Sequence, residues 1–254
     1  MMEPSSIESR YSNWKPLYRV GGVAALLAVF VFRRNLGAEL TALRSFWPSA
    51  VPETLPVNAA GWYELLQRNP LVGLTLLEVF DLVEYALVGL MFLAMCIALW
   101  QISRSAMLVA TVSGLAGIIV YFSSNQAFAL LSLSMQYKAA TSEAQRIAYQ
   151  AAGEALLAVN NPAVLYQGTG IYLSMFLVPM AGLIYSLVML RSKVFNKATA
   201  VTGILANGII LTYFLFLAFA PTWLVLPYVL SAPLRVAWYF LIAIKLFKLC
   251  EKSN

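Results

Sequence analysis

Residues 71–100 read LVGLTLLEVFDLVEYALVGLMFLAMCIALW, and the rest of the predicted architecture depends on this stretch. It is long and apolar enough to cross the hydrocarbon core of a bilayer as one helix. It nevertheless carries three carboxylates, at Glu78, Asp81 and Glu84. Their spacing of i, i+3 and i+6 predicts one inclined stripe along a continuous helix. Because a carboxylate in hydrocarbon is costly unless it is paired, protonated or hydrated, the stripe predicts a polar environment inside the protein.

The composition of the whole chain is that of a membrane protein. Of its 254 residues, 61% are hydrophobic and 11% are charged, whereas soluble domains carry about a quarter charged residues. We therefore predict an all-α fold, a polytopic membrane helical bundle, with no large soluble domain. The chain has no histidine, and its two cysteines provide neither a disulfide framework nor the spacing of a zinc site.

Six apolar runs predict six transmembrane helices in a single membrane domain over 16–250, after a polar, frayed tail at 1–15. The expected spans cover about 16–34, 71–100, 105–125, 166–190, 198–220 and 223–247. A cleaved signal peptide is the alternative for the first run. Arg33 and Arg34 follow that run, and no small-residue cleavage motif does, which favours a span.

Two polar connections, at 35–69 and 139–160, predict an outer cap on the membrane surface. In the first, AELTALRSFW at 38–47 has the pattern of an amphipathic helix. Asn69 and Pro70 then predict the start of the acidic helix. In the second, Ser142 and Gln145 predict a capping box. We expect an alanine-rich face of this second helix to pack on the preceding one, through Ala144, Ala148, Ala151 and Ala155.

The basic residues predict which side of the membrane each loop faces. Both termini, the link at Arg104 and the loop at 191–197 carry more Lys and Arg than the opposite side, although Arg33 and Arg34 oppose this bias. The positive-inside rule therefore places both termini in the cytoplasm. The same rule accounts for the net charge of +6, so we expect the lipid bilayer, and no nucleic acid, as a partner.

Arg235 is the second unusual charge, because it lies inside the last apolar run, two residues after Pro233. It falls near the predicted midplane, about 9 Å in height from Glu84. An extended arginine side chain covers most of this distance, so we predict that Arg235 pairs with Glu84 or Asp81. A proline in this position frees a carbonyl and kinks the helix.

The charged side chains predict a polar core that has two interpretations. In the structural one, the arginine pairs with an acid and sets the register of two helices. In the functional one, an outward-facing cavity binds a proton, a cation or a polar solute. The candidate binding residues are Glu78, Asp81, Glu84, Arg235, Asn125 and Gln126, although Asn125 and Gln126 also fit the ordinary end of a span.

No pattern in the sequence predicts catalysis. A nucleophile–base pair lacks its histidine, and no phosphate-binding loop is present. Three acids on one face of one helix converge poorly on a metal ion. We therefore predict that the protein is not an enzyme and has no catalytic residue, cofactor or metal.

Two stretches carry a family resemblance. NPLVGLTLLEVFDLVEYALVGLMFLAM at 69–95, and LRSKVFNKATAVTGILANGI at 190–209, resemble a bacterial integral membrane family catalogued as domain of unknown function 4386. The similarity covers about 65–250. It implies a multi-pass protein of the bacterial cytoplasmic (inner) membrane, and it implies no catalytic or binding residues.

Two classes of function stay open at this point. The first is a membrane protein of unknown specific function whose acidic stripe, paired to an arginine, binds or moves a small solute or proton. The second is a non-catalytic accessory or scaffolding subunit of a membrane complex. In that case the outer cap would dock a membrane-protein partner or a second copy of the chain.

Overall fold

The computed structural model describes residues 4–32, 51–164 and 166–251. Within these ranges the chain forms helices and turns without a strand, which confirms the all-α fold. The amphipathic helix expected at 38–47 lies outside the described residues, as do Arg33 and Arg34.

The helices of these ranges follow one another along the chain with short connections. They are α1 (Pro4–Phe32), α2 (Ala59–Arg68), α3 (Pro70–Leu76), α4 (Val79–Leu99), α5 (Arg104–Ser124), α6 (Ala127–Ala139), α7 (Glu143–Leu157), α8 (Thr169–Leu190), α9 (Lys197–Leu211), α10 (Tyr213–Phe219) and α11 (Val225–Glu251), with a 3₁₀ turn at Pro221–Trp223 before α11. The tail expected to be frayed is helical from Pro4 onward, because a span that is already formed extends at one hydrogen bond per residue without a new nucleus.

Six segments of the described chain are long and apolar enough to cross a membrane. They are Trp14–Val31, Val79–Leu99, Arg104–Ala139, Thr169–Leu190, Lys197–Phe219 and Pro221–Glu251. Large apolar side chains such as Phe30, Ile119 and Val229 are more than half exposed on these helices. Such surfaces are unfavourable in water and suit hydrocarbon. The chain therefore has the architecture of a multi-pass membrane protein.

The chain divides into two compact units, and each has its own hydrophobic core. Unit 1 consists of Met1–Leu36, Glu84–Ile118 and Met175–Asn254, and unit 2 consists of Gly37–Val83 and Ile119–Ser174. The single membrane domain expected from the sequence stays a prediction.

In unit 1, α11 packs against both α1 and α9. Small residues permit these close approaches. A side chain at Gly203 of α9 would collide with the Trp238 indole of α11 and with Ser186 of α8. The core of this unit is therefore a set of closely packed helices, in which the buried Phe92 and Tyr185 rings contact each other.

In unit 2, α2 packs against α3, α6 and α7. The buried Tyr63 hydroxyl of α2 donates to the Tyr149 carbonyl of α7 at 2.7 Å. The Glu154 carboxylate accepts from the Ala59 amide at the start of α2, at 2.8 Å. Burial and the Glu154 charge raise the pKa of Tyr63 to about 12. These polar contacts join α2 to α7 around an apolar core.

The structure confirms one expectation about α7 and corrects another. Ser142 and Gln145 form the predicted capping box. The predicted packing face is wrong, because its four alanines are exposed: Ala144, Ala148, Ala151 and Ala155. The buried side of α7 instead carries Gly153 and Leu157. Gly153 has no side chain, so Ala59 and the Tyr63 hydroxyl come directly against its backbone.

The acidic helix is not continuous, which corrects the most important sequence expectation. Asn69 caps α3 and Pro70 opens it as predicted, but α3 ends at Leu76 and α4 begins only at Val79. Between them Glu78 adopts a left-handed conformation with φ of 61°. Glu78 therefore stands outside α4, and the three acids do not form one helical stripe.

The break is stabilised from elsewhere in unit 2. The Glu78 amide donates to the Thr75 carbonyl, which closes the end of α3 as a left-handed residue commonly does. The Asn125 side-chain amide donates to the carbonyls of Leu77 and Glu78, at 3.5 and 3.2 Å. A side-chain amide from a distant part of the sequence thus donates hydrogen bonds to the carbonyls at the point where the helix is interrupted. Local sequence patterns contain no sign of such a contact.

Candidate functional site

A cavity in unit 1 lies among α4, α8, α9 and α11. Its polar lining comes from Glu84 and Tyr85 of α4, Asn207 of α9, and Tyr228, Arg235 and Tyr239 of α11. Apolar side chains, including Val88, Phe92 and Val178, form much of the rest of the wall. The volume open to the centre of a water molecule is about 40 Å³. The cavity thus suits a solute of only a few water-sized groups, since an apolar cavity that takes up benzene measures about 150 Å³.

Glu84 and Arg235 are the charged pair of this cavity. Glu84 is only 5% exposed, because it belongs to the same buried face of α4 as Val88 and Phe92. Arg235 is half-buried and interacts electrostatically with Glu84. The structure thus brings together one of the two pairs that the sequence predicted. Opposite charges in one cavity keep its net charge near zero.

Tyrosine hydroxyls extend this polar centre. Tyr239 lies one helical turn after Arg235, is buried, and interacts electrostatically with both Glu84 and Arg235. Tyr85 and Tyr228 also interact with Arg235. A phenol both donates and accepts hydrogen bonds, so these groups can serve either a positive or a negative partner.

The helix backbone is also irregular at this cavity. Pro179 lies inside α8 and lines the cavity, as does Met175 one turn earlier. Because proline has no amide hydrogen, the regular helical hydrogen bond to the Met175 carbonyl is not formed. Pro233 interrupts α11 in the same way, two residues before Arg235. Two of the four helices around the cavity are therefore interrupted by proline near its charged or polar lining.

The Asn207 amide is held by close helix packing. Its Nδ2 donates to the Gly203 carbonyl at 2.8 Å, within α9. On the other side it contacts the backbone of Gly182 in α8, where an added side chain would collide with the amide. Asn207 is therefore a positioned polar group in a buried wall of the cavity.

A second polar cluster lies in unit 2 and consists of Glu78, Asp81, Tyr121 and Asn125. The buried Tyr121 hydroxyl lies 3.4 Å from Glu78 Oε2 and 3.3 Å from Asp81 Oδ2. One phenol proton can be donated fully to only one carboxylate at a time. Asn125 completes the cluster by donating to the Glu78 carbonyl. The predicted residues Glu78, Asp81 and Asn125 are thus brought together, but as part of unit 2.

The remaining candidate, Gln126, contacts neither set of acids in the hydrogen bonds of its side chain. Its Nε2 donates to the carbonyls of Ser123 and Ser124 at 3.4 and 3.3 Å, at the end of α5. This is the ordinary end-of-span role, which was one of the two roles expected for this residue.

Sequence reasoning missed the tyrosines at both polar centres. Tyr85, Tyr121 and Tyr239 each interact with a charged candidate residue. A usable signal existed for Tyr239, since it follows Arg235 by one helical turn on the same face. For Tyr121 there was none, because its partners are about 40 residues away in the chain.

Comparison with known proteins adds no relative. No family model matches the chain, no curated protein matches it, and no solved structure matches it. The resemblance to the family of unknown function stays a prediction.

Proposed function

We propose that this multi-pass membrane protein binds a small polar solute in the cavity of unit 1, between Glu84 and Arg235. The observation that carries the proposal is that a buried carboxylate and a guanidinium line one open cavity among apolar helices. Ionisable side chains within membrane spans are rare and commonly mark the path of an ion, a proton or a solute.

A purely structural role explains the pair less well. Replacing a buried ion pair by well-packed apolar residues is often neutral or stabilising, so such a pair is poor at holding helices together. If Glu84 and Arg235 served only to set register, a fully packed environment would suit them better than a cavity. A binding role explains both the open volume of the cavity and the charges of Glu84 and Arg235.

The lining limits the kind of solute. Its volume suits a ligand of only a few non-hydrogen atoms. The hydroxyl groups of Tyr85, Tyr228 and Tyr239 and the amide of Asn207 offer both donors and acceptors of hydrogen bonds. The cavity therefore favours a compact polar molecule over a lipid or a large metabolite.

We further propose that the protein lies in the bacterial cytoplasmic (inner) membrane with both termini in the cytoplasm. The orientation is supported by the excess of Lys and Arg in the loops assigned to the cytoplasm. Exposed Arg191 and Lys193 lie in one of these loops, directly after α8. The bacterial inner membrane is what the resemblance of 69–95 and 190–209 to the family of unknown function implies.

Thermal unfolding of the full chain in detergent micelles tests the binding proposal. Sodium formate, sodium acetate, glycine and urea are added separately to the wild type, to Arg235→Gln and to the control Glu64→Gln, which alters an exposed acid of α2 in unit 2. We expect at least one solute to raise the Tm of the wild type and of the control, because a ligand of the folded state stabilises it by mass action. Arg235→Gln should lose that response.

Two results would count against the proposal. A wild type that responds to none of the four solutes would exclude a site of this size and polarity. If Arg235→Gln responds as the wild type does, the binding site lies elsewhere. Loss of a co-purifying membrane protein in Arg235→Gln, with no solute response in the wild type, would instead support the accessory or scaffolding subunit.

A further inference from the structure

We infer that the solute is a small planar carboxylate anion of the size of formate or acetate, and that it binds together with one proton taken up by Glu84. This inference rests on the proposed binding site and names its ligand. Three features carry it: the charge balance of the cavity, the geometry of its cation, and its size.

The charge balance ties an anion to a proton. Arg235 is the basic side chain of the cavity, and it already faces the carboxylate of Glu84. A second anion at Arg235 would place two negative charges on one positive charge inside the membrane, which is strongly unfavourable. The anion therefore requires Glu84 to be neutral, and Glu84 becomes neutral by binding a proton.

The surroundings of Glu84 contain no other group that takes this role among the described lining residues. On its own helix Tyr85 also lines the cavity, and Asp81 lies one turn before Glu84, with its carboxylate 3.3 Å from the Tyr121 hydroxyl. From α11 come Arg235 and two further phenols, at Tyr228 and Tyr239. From α9 comes the uncharged amide of Asn207. The lining from α8 is apolar: Met175, Val178 and Pro179. Glu84 is thus the carboxyl group on which the proton balances the incoming charge.

The geometry of the cation selects the shape of the anion. A guanidinium is planar and presents its N–H groups as a fork, which matches the two oxygens of a carboxylate through parallel hydrogen bonds. Glu84 already offers this same chemical group to Arg235. A free carboxylate can therefore replace the Glu84 side chain as the partner of Arg235, with the phenols of Tyr228 and Tyr239 beside it.

The size of the cavity sets the length of the anion. A volume of about 40 Å³ accommodates only a few water-sized groups, against about 150 Å³ for a cavity that takes up benzene. Formate has three non-hydrogen atoms and acetate has four. The apolar wall at Val88 and Phe92 suits the methyl group of acetate.

The binding step conserves charge. Before it, the Glu84 carboxylate accompanies the Arg235 guanidinium. After it, Glu84 is a carboxylic acid, and the ligand anion accompanies the guanidinium. One anion and one proton have entered, and the net charge of the site is unchanged. Because the pair carries no net charge, its entry does no work against the membrane potential.

Isothermal titration calorimetry of sodium acetate into the full chain in detergent micelles tests the inference. Titrations near neutral pH, where acetate is ionised, are made in phosphate and in imidazole buffer, whose ionisation enthalpies differ. The dependence of the measured heat on the buffer gives the number of protons bound. We expect about one proton for each acetate in the wild type, and an affinity that falls by up to about tenfold per pH unit as the pH rises.

Variants separate the two charged residues. Glu84→Gln keeps a neutral group of the same shape and should bind acetate without proton uptake and without dependence on pH. Arg235→Lys keeps the charge but lacks the planar fork, and should weaken binding at least tenfold. Glu64→Gln is the matched control, since it removes an exposed carboxylate of α2 in unit 2, and should bind as the wild type does.

The outcomes distinguish this inference from the proposed function. If acetate and formate bind with no proton uptake in the wild type, the coupling is wrong. If glycine or urea binds in a way that needs Arg235 while both anions fail, the ligand class is wrong and the binding site stands. If no solute binds, both fail. The proton count in the wild type decides the coupling even if Glu84→Gln does not fold.

Discussion

Among single residues, Glu78 shows most clearly how local chemistry and tertiary contacts compete. An L-residue in the left-handed region meets steric repulsion that glycine avoids. Glu78 holds this conformation with φ of 61°, while its carboxylate lies near the Tyr121 hydroxyl and its carbonyl accepts from Asn125. The contacts within unit 2 therefore offset a backbone conformation that the residue itself disfavours.

This balance predicts the effect of Glu78→Gly. Glycine removes a strain of about 1–2 kcal/mol, and Glu78→Gln keeps the strain but removes the charge. We expect Glu78→Gly to be more stable than Glu78→Gln by about 1 kcal/mol in thermal unfolding. Asp81→Gly is the control, because Asp81 is helical and should lose stability on the same exchange. If Glu78→Gly is the less stable of the two variants at that position, the left-handed conformation is not strained.

Tyr63 predicts a pH dependence in unit 2. Burial and the Glu154 charge raise the pKa of Tyr63 to about 12 from an ordinary value of about 10. The native state thus keeps the phenol proton where the unfolded chain loses it. This contribution to stability is complete below about pH 10 and is lost as the pH rises toward 12.

Comparison with Tyr63→Phe isolates that contribution. Below pH 10 the variant should have the lower Tm, because it lacks the hydrogen bond to the Tyr149 carbonyl, worth about 1 kcal/mol. The difference in Tm between the two proteins should shrink as the pH is raised from about 10 to about 12. A difference that grows over this range would show that the hydroxyl ionises more easily in the native state.

Among the helices, the close approach of α8 and α9 holds Asn207 in the cavity wall. Gly182 lets the two helices approach until its backbone touches the Asn207 amide. Asn207 is buried there and donates to Gly203. A larger residue at this contact should therefore lower the free energy of unfolding and change the shape of the cavity.

Two glycine substitutions on these helices give a matched test. Gly182→Ala forces a methyl group into the Asn207 amide and should cost about 1–3 kcal/mol. Gly208→Ala on α9 meets nothing within 4 Å and should be neutral or stabilise by up to about 1 kcal/mol through helix propensity. Thermal unfolding of the two variants and the wild type decides this, and equal stabilities for both variants would contradict the close contact.

For the molecule as a whole, the orientation in the membrane follows from the asymmetry of the basic loops. Lys193, after α8, belongs to the side assigned to the cytoplasm, and Arg146, in α7, belongs to the outer side. Both residues are exposed. They are therefore suitable positions for a single reactive cysteine.

Labelling of single cysteines tests the orientation. In a background of Cys96→Ala and Cys250→Ser, we expect a membrane-impermeant maleimide to modify Arg146→Cys on intact bacterial cells. Lys193→Cys should react only after the cells are permeabilised. The opposite pattern would invert the topology, and labelling of both positions on intact cells would place α7 and the 191–197 loop on the same side.

The membrane class and the helical content could be predicted from composition and apolar runs, since the burial of about twenty apolar residues in each span outweighs local preferences. The first residues of α3 and α7 could also be predicted, because the side chains of Asn69 and Ser142 accept hydrogen bonds from amides only three residues away. Such interactions are local, so they can be recognised from the sequence alone. The pairing of Glu84 with Arg235 could also be predicted, because opposite charges in a low-dielectric region have few alternative partners.

Other features depended on residues far apart in the chain. The break at Glu78 depends on the hydrogen bond from Asn125, and the polar cluster depends on Tyr121. The buried side of α7 depends on the contact between the Tyr63 hydroxyl and Gly153. Each is a contact across 40 residues or more, formed only when folding brings separate helices together. The folded chain therefore interrupts the helical repeat of the three acids at Glu78, because hydrogen bonds from distant side chains compensate for the broken helix.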